Sequence, residues 1–186
     1  MTQGDDVAEN VLAVPIGEII VSDKAQDVLV AYGLGSCVAV CVYDPVARVG
    51  GMLHALLPEA SNPVTGTKRQ SSKAVRQAKF VDQGVPMLVE AVSALGGRCD
   101  RLIVRLCGGA QVLSAPGFEN ERLRIGERNV LAAENVLEML GLKIKAQDTG
   151  GTIGRTVRMY IADGQVMIRS LGRGEQALDD APRTGR

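Results

Sequence analysis

Residues 36–58, SCVAVCVYDPVARVGGMLHALLP, decide how the chain is predicted to fold. Two runs rich in valine, cysteine and leucine flank Asp44 and Pro45, a pair that favours a turn. The segment therefore predicts a β-hairpin. Six further runs rich in valine, isoleucine and leucine alternate with turn signals, at residues 11–22, 27–33, 101–109, 142–150, 156–163 and 165–170. Together with the hairpin, these runs predict one or two substantial β-sheets.

Two segments have the periodicity of amphipathic helices. Apolar residues recur at spacings of four and three over residues 74–95, and Pro86 is expected to kink this helix or divide it. A second helix is predicted at about residues 127–140, ending near Gly141. These elements predict a single-domain α/β (α+β layered) fold, an α/β/α-type sandwich with a mixed, largely antiparallel sheet and two main helices.

The two ends of the chain lack apolar periodicity. Residues 1–10 and 173–186 are polar and are predicted to be disordered tails around one folded domain of residues 11–172. The long polar loop at residues 59–71 is predicted to be a mobile surface segment.

Composition limits the classes of function. The chain has 186 residues, 46% of them apolar, which suits one domain with a sizeable core. The chain has 21 lysine and arginine residues and 21 aspartate and glutamate residues, so its net charge does not favour binding to nucleic acid or to an anionic membrane. The N-terminus lacks the features of a signal peptide and no apolar run is long enough to span a bilayer, so we expect a cytoplasmic protein with reduced cysteines.

The stretch that carries chemistry is YGLGSC at residues 32–37, in which two glycines and a serine precede Cys37. Glycine permits backbone angles closed to other residues, so the chain can turn sharply and bring N–H groups beside the thiol. Such groups can stabilise an oxyanion, and Ser36 is a candidate for this role. An ordinary turn serine and a packed core cysteine are the alternative interpretation.

His54 is the single histidine of the sequence. A thiol with an ordinary pKa of about 8.5 is mostly protonated at neutral pH and needs a neighbouring base to act as a nucleophile. With the turn at residues 43–48, the hairpin places Cys37 directly opposite His54, close enough for contact. Cys37 is therefore the candidate nucleophile and His54 its candidate general base; the alternative is that both are satisfied core residues.

Other distinctive residues receive structural interpretations. Cys41 shares a strand face with Cys37, but a Cys-x-x-x-Cys pattern without a second ligand pair is a poor zinc site. The glycine pairs at 108–109 and 150–151 lack the spacing of a phosphate-binding loop and are interpreted as tight turns. We therefore expect neither a metal nor an organic cofactor.

The hairpin and several later segments resemble the chemoreceptor glutamine deamidase (CheD) family. The similar segments span about residues 12–171 and are GLGSCVAVCVYDP with VGGMLHALLP, KFVDQGVPMLVEAVSALGG, LCGGAQVL, IGERNV and DTGGTIGRTVRMY. The resemblance implies a layered α/β fold like that of the deamidase domain of cytotoxic necrotizing factor toxins. It also implies that Cys37 and His54 are the catalytic residues.

By this resemblance the protein is a hydrolase of carboxamide C–N bonds that acts in chemotaxis. The thiolate of Cys37 would attack a glutamine carboxamide on the cytoplasmic helices of a methyl-accepting receptor, and His54 would protonate the departing ammonia. Water would then hydrolyse the thioester to leave glutamate. The partners implied are these receptor helices and the CheC phosphatase, with no cofactor.

The sequence departs from the family at one position. The family has a threonine that orients the histidine six residues before the cysteine, where this chain has Ala31. The main-chain carbonyl of Ala31, or a hydroxyl such as that of Tyr32 or Thr152, is the expected replacement. If nothing held the ring, the protein would be a regulatory binding partner of CheC or of receptors with weakened catalysis; an amidase of small molecules is a third hypothesis.

Overall fold

The computed structural model describes residues 8–60, 78–112 and 124–180. In these ranges the chain forms ten strands and two α-helices. The strands are β1 (Asn10–Ala13), β2 (Ile19–Ser22), β3 (Asp27–Leu34), β4 (Val38–Asp44), β5 (Val49–Ala55), β6 (Ile103–Gly108), β7 (Ile144–Thr149), β8 (Arg155–Tyr160), β9 (Val166–Ser170) and β10 (Glu175–Ala177). The helices are α1 (Val81–Ala94) and α2 (Ile125–Met139), and short 3-10 turns lie at Cys99–Arg101 and Leu178–Asp180.

The strands form two mixed sheets of five strands each. The strand order is β1-β3-β8-β9-β10 in sheet 1 and β2-β5-β4-β6-β7 in sheet 2. β1 runs parallel to β3 and β6 runs parallel to β7, whereas the other paired strands are antiparallel. The predicted mixed and largely antiparallel pairing is therefore confirmed.

β4 lies at the centre of sheet 2 and is buried along its whole length. Its odd-numbered residues, such as Ala39, pack in one core cluster with sheet 1 residues such as Leu29. Its even-numbered residues, such as Val40, pack against apolar side chains of α1 and α2, such as Leu88 and Leu137. A strand buried on both faces needs apolar residues at every position, as β4 has.

The layers therefore run from the two helices to sheet 2 and then to sheet 1. The α+β class and the two main helices are confirmed. The layer order differs from the predicted α/β/α order, because both helices cover the same face of sheet 2. The predicted strands divide between two sheets, and sheet 1 takes the place of a second helical layer.

The helices follow the predicted periodicity with one shifted boundary. α1 begins at Val81 rather than near residue 74, because Phe80 has extended dihedral angles, and Pro86 lies inside α1 without dividing it. α2 ends before Gly141, which has a φ of 71°. Residues 61–77, which include most of the predicted loop, lie outside the described residues. In the part of the chain that the structure describes, neither helix combines the length and apolarity needed to cross a membrane.

The predicted strand at residues 11–22 is in fact two strands in different sheets. β1 belongs to sheet 1 and β2 to sheet 2, and the chain crosses between them at residues 15–17, where Gly17 has a φ of 82°. Asn10, predicted as the end of a tail, belongs to β1 and donates its side-chain N–H to Asp27.

The tail predicted from residue 173 is wrong for residues 175–180. β10 pairs with β9, and Leu178 is only 1% exposed. Arg105 binds both carboxylate oxygens of Asp179, through Nε at 2.7 Å and Nη2 at 2.8 Å, and Lys145 pairs with the same carboxylate. This segment therefore belongs to the folded domain, although its sequence has the polar composition of a tail.

Candidate active site

The β4–β5 hairpin brings the candidate nucleophile and base to one face of sheet 2. Asp44 pairs with Val49 across the turn, and in this register Ala39 lies opposite His54. The predicted pairing of Cys37 with His54 is therefore wrong by two residues. Because strand side chains alternate between faces with a period of two, the shift keeps Cys37 and His54 on the same face as diagonal neighbours.

The turn fixes this register through the buried carboxylate of Asp44, which is 0% exposed. Asp44 accepts hydrogen bonds from the N–H groups of Val46 and Ala47 within the turn. It also accepts from the N–H of Arg98 and from the guanidinium of Arg101, whose Nη2 lies at 2.6 Å. The turn predicted from Asp44 and Pro45 therefore ends one residue later than expected, at Val49.

Cys37 lies just before β4 and is 7% exposed. Three consecutive carbonyls around it are held by hydrogen bonds; these run from Ala110 N–H to Gly35 O (2.8 Å), from Asn129 Nδ2 to Ser36 O (2.8 Å) and from Gly109 N–H to Cys37 O (2.7 Å). The thiol therefore lies on a backbone segment with fixed peptide planes. The thiol lies at the edge of the core.

Gly108 at the end of β6 permits this close contact. It has a φ of 106°, and an added Cβ would lie 3.1 Å from the Cα of Val38 and against the carbonyl of Cys37. No side chain larger than hydrogen fits there without moving the Cys37 segment. The glycine pair at 108–109 therefore serves a tight turn, as predicted.

The N–H groups of Ser36 and Cys37 are the candidate donors to an oxyanion. Among the described residues, the N–H groups of Ser36 and Cys37 donate to no backbone carbonyl. The N–H of Cys37 lies next to its own thiol, where it lowers the pKa of that thiol against the larger effect of burial. N–H groups in this position can stabilise negative charge on a substrate oxygen.

His54 is buried, with 2% exposure, and its ring is fixed from one side. Nδ1 lies 3.1 Å from the main-chain carbonyl of Val14. Because a carbonyl only accepts hydrogen bonds, Nδ1 carries the proton in the neutral ring and Nε2 keeps its lone pair. Nε2 is buried and has no hydrogen-bond partner in the described structure, so it is free to accept a proton.

The Val14 carbonyl is itself held in place by its neighbours. Val14 N–H donates to the Val30 carbonyl at 2.8 Å. Val14 precedes Pro15, which restricts the residue before it to extended conformations. The crossover after β1 also binds the His54 backbone, since Gly17 N–H donates to the His54 carbonyl at 2.7 Å.

The group that orients the ring therefore differs from the three candidates predicted from sequence. A main-chain carbonyl does accept the ring N–H, but it belongs to Val14 and not to Ala31. Ala31 lies within β3, opposite Val157. Tyr32 and Thr152 are both exposed, whereas the ring of His54 is buried.

Burial shifts the pKa values of both residues toward their neutral forms. It raises the pKa of the Cys37 thiol above its ordinary range and lowers the pKa of His54 below its ordinary value of 6.5, although the Val14 carbonyl partly offsets the second shift. At neutral pH the resting pair is therefore a thiol and a neutral imidazole. Such a pair reacts by transfer of the thiol proton to Nε2 during attack.

The remaining cysteines do not join this site. Cys41 shares the inner face of β4 with Cys37, as predicted, and burial raises its pKa to about 12. Cys107 is buried and Cys99 is exposed, and all four cysteines are free. No group of three His, Cys, Asp or Glu residues that could hold a metal occurs within the described ranges.

Sequence reasoning missed two contributors to the site. The carbonyl of Val14 belongs to the main chain, so no side-chain pattern could reveal it. Asn129 is 0% exposed and donates hydrogen bonds to the segments of both Cys37 and His54. Helical periodicity could have identified Asn129, because it is a polar residue on the buried face of α2 that also contains Gly126, Ala133 and Leu137.

The fold and the site together define a layered α+β protein in which a buried cysteine and a buried histidine lie on the same face of a β-hairpin, an arrangement typical of thiol-dependent acyl chemistry. The chain belongs to the CheD family. The family model "CheD chemotactic sensory transduction" matches residues 56–170.

Named relatives extend this match to most of the chain. A probable chemoreceptor glutamine deamidase CheD of Symbiobacterium thermophilum is 41% identical over 166 residues, covering 89% of this chain and 96% of that protein. The chemoreceptor glutamine deamidase CheD of Thermotoga maritima is 40% identical over 161 residues, covering 87% and 92%. The crystal structure of the hypothetical protein YfiH of Bacillus licheniformis aligns with a TM-score of 0.43 at 11% identity, over 78% of this chain and 60% of that one.

Proposed function

We propose that this protein is a hydrolase of carboxamide C–N bonds that converts glutamine to glutamate on chemoreceptors, with Cys37 as nucleophile and His54 as general base. The observation that carries the proposal is the free Nε2 of a ring whose Nδ1 is held by the Val14 carbonyl, on the strand face that also bears Cys37. The relatives named for chemoreceptor glutamine deamidation support the choice of substrate.

The burial of Cys37 and His54 favours a side-chain carboxamide over a main-chain amide. Cys37 is 7% exposed and His54 is 2% exposed, so the reacting carbon must reach below the surface. A glutamine carboxamide ends a flexible two-methylene arm and can do so. A main-chain peptide bond of a folded helix is enclosed by its own side chains and hydrogen bonds.

In the first half of the reaction, the sulfur of Cys37 attacks the carboxamide carbon while Nε2 of His54 accepts the thiol proton. The carbonyl oxygen becomes an oxyanion, and the N–H groups of Ser36 and Cys37, which donate to no backbone carbonyl among the described residues, are its proposed donors. His54 then gives its proton to the departing nitrogen. Ammonia leaves, and the substrate is joined to Cys37 as a thioester.

In the second half, water attacks the thioester carbon and Nε2 of His54 accepts a proton from that water. The oxyanion collapses, the C–S bond breaks and the thiolate recovers its proton from His54. Glutamate is the product, so each turnover adds one negative charge to the receptor. Neither a metal nor an organic cofactor takes part in these steps.

The alternative of a regulatory partner with weakened catalysis rested on the missing hydroxyl at Ala31. The hydrogen bond from the ring to Val14 speaks against this alternative, because His54 has an orienting group without a hydroxyl at position 31. The receptor's cytoplasmic helices and the CheC phosphatase stay predictions from the family resemblance. A cytoplasmic location, also a prediction, agrees with the four free cysteines.

Peptide mass spectrometry of a receptor cytoplasmic fragment tests the proposal. Incubation with the unmodified protein is expected to add about one dalton per modified glutamine, whereas Cys37→Ala and His54→Ala proteins leave the mass unchanged. Cys99→Ala is the matched control, because Cys99 is an exposed thiol distant in sequence from the hairpin. Deamidation by Cys37→Ala at the unmodified rate would exclude the mechanism.

A further inference from the structure

We propose that Asn129 is a positioning residue that aims the Cys37 N–H at the oxyanion; the inference rests on the proposed acyl chemistry of Cys37. Asn129 belongs to α2, on the opposite side of sheet 2 from sheet 1, and its side chain is 0% exposed. It contacts neither sulfur nor imidazole by any hydrogen bond. It acts through the backbone on which Cys37 lies.

The amide of Asn129 bridges the two strand ends that carry the site. Nδ2 donates to the Ser36 carbonyl at 2.8 Å and to the Leu56 carbonyl at 3.0 Å. Ser36 directly precedes Cys37, and Leu56 lies two residues after His54. One side chain therefore sets the separation of the nucleophile segment from the base segment.

The bridge lies where the strand ladder stops. The last cross-strand pair of β4 and β5 is Val38 with Ala55, and beyond it the N–H of Leu56 turns to the Lys79 carbonyl. The two carbonyls beyond the ladder therefore need another donor. A side-chain NH₂ group has two N–H donors, which matches the two carbonyls to be satisfied.

The hydrogen bond to Ser36 fixes the direction of the Cys37 N–H. In a planar trans peptide the C=O of one residue and the N–H of the next point in opposite directions. Because the Ser36 carbonyl points to Asn129 on α2, the Cys37 N–H points away from α2, toward the face that bears the thiol.

The other end of the amide shows that packing alone does not explain an asparagine here. Oδ1 of Asn129 is buried and has no hydrogen-bond partner in the described structure, which is a destabilising feature. An apolar side chain would avoid that penalty but could not hold the carbonyls. Aspartate has nearly the same shape and offers only acceptors when ionised, so it would repel both carbonyls.

The test compares two reactions of the Cys37 thiol in a Cys99→Ala background, which removes the exposed thiol. Acylation by p-nitrophenyl acetate transfers an acetyl group to sulfur through a tetrahedral oxyanion and releases nitrophenolate, whose absorbance is followed. Alkylation by iodoacetamide displaces iodide directly and forms no oxyanion. The variants are Asn129→Asp and Asn129→Ser, the latter with one remaining hydroxyl donor should the first fold poorly.

We expect Asn129→Asp to slow acylation by about 10- to 100-fold, less than the full loss of an oxyanion donor, while alkylation changes by less than about 2-fold. On a receptor fragment kcat falls in parallel with acylation and KM is retained. The acylation rate of Asn129→Ser is expected to lie between the rates of Asn129→Asp and the unmodified chain. Leu137→Ala, at a buried apolar position of the same helix, is expected to lower the unfolding midpoint without separating the two rates.

Two results overturn the inference. Equal decreases in the rates of acylation and alkylation would show that Asn129 only holds the thiol in place. An unchanged acylation rate would show that Asn129 does not orient the Cys37 N–H. The outcome is also separable from the proposed function. A protein that fails to deamidate receptors but keeps the selective loss of acylation refutes the receptor substrate and leaves the role of Asn129 standing.

Discussion

Replacing Asp44 by alanine is expected to lower the free energy of unfolding by about 3–5 kcal/mol, the usual effect of removing one partner of a buried ion pair. The carboxylate is 0% exposed and closes the hairpin that carries Cys37 and His54. It accepts five hydrogen bonds, from Val46 N–H (2.9 Å), Ala47 N–H (3.1 Å), Arg98 N–H (2.8 Å), Arg101 Nε (3.0 Å) and Arg101 Nη2 (2.6 Å).

The magnitude follows from what the substitution leaves behind. Three backbone N–H groups lose their acceptor. A fully buried unsatisfied group costs about 1–3 kcal/mol, and the cost is smaller here because Val46 and Arg98 are exposed and Ala47 is only half-buried. Arg101 recovers part of the loss, because its side chain is 30% exposed and can turn toward water. The sum is therefore limited to a few kcal/mol, which is a large share of the roughly 5–15 kcal/mol that stabilises an ordinary domain.

Urea denaturation at several pH values measures this effect. Burial alone would raise the pKa of Asp44, but Arg101 and the N–H groups of Arg98, Ala47 and Val46 hold it well below its ordinary 3.8. A lowered folded-state pKa means that the stabilisation is present above pH 3.8 and is lost as the pH falls below it. The difference between the unmodified protein and Asp44→Ala should therefore shrink in that range.

Asp100→Ala is the matched control, since Asp100 pairs with Arg98 at the surface, where both side chains are about two-thirds exposed (64% and 65%). Its unfolding midpoint should match that of the unmodified protein. A loss below about 1 kcal/mol for Asp44→Ala, or a loss that persists unchanged in acid, would refute the assigned role of the carboxylate.

Three further predictions concern the site. Ala31→Thr should leave kcat within about 3-fold, because Val14 already orients His54, and should cost about 1–3 kcal/mol of stability by overpacking a 0% exposed position. Gly108→Ala should lower kcat by more than about 10-fold, because its Cβ displaces the Cys37 segment. The rate of iodoacetamide alkylation at Cys37 should keep increasing above pH 9.0, because burial raises the pKa of the thiol.

Each of these has a contrary outcome. A gain of about 10-fold or more in Ala31→Thr would show that the ring lacks an orienting group. Gly141→Ala controls for Gly108, since Gly141 has a φ of 71° but open space around it; equal effects on kcat would exclude the clash. An alkylation rate that levels off near neutral pH would indicate a preformed thiolate–imidazolium pair.

The sequence predicts the parts of this site that depend on local turns and on side-chain alternation. Asp44 and Pro45 locate the hairpin, and the period of two ensures that an error of two residues in register keeps Cys37 and His54 on one face. The glycines before Cys37 predict backbone donors beside the thiol, and the Ser36 and Cys37 N–H groups are free of backbone acceptors among the described residues.

Other features depend on contacts that no local pattern encodes. Val14 lies 40 residues from His54, and its contribution is a main-chain oxygen. The two halves of residues 11–22 enter different sheets after the turn at residues 15–17. The local sequence favours a turn there but does not specify which sheet each half joins. The polar segment at residues 175–180 is ordered by distant contacts: β10 pairs with β9, Leu178 is buried, and Arg105 and Lys145 bind Asp179.

The most direct test of the account is capture of the covalent intermediate. A receptor cytoplasmic fragment is mixed with the protein, quenched in acid during turnover and digested, and the peptide containing Cys37 is weighed by mass spectrometry. A thioester on Cys37 is expected, with a mass equal to that of the two peptides less one ammonia, and it is expected to be absent in Cys37→Ala. Continued deamidation with a thioester on another cysteine, or by the Cys37→Ala protein, would contradict the assignment of Cys37 as nucleophile.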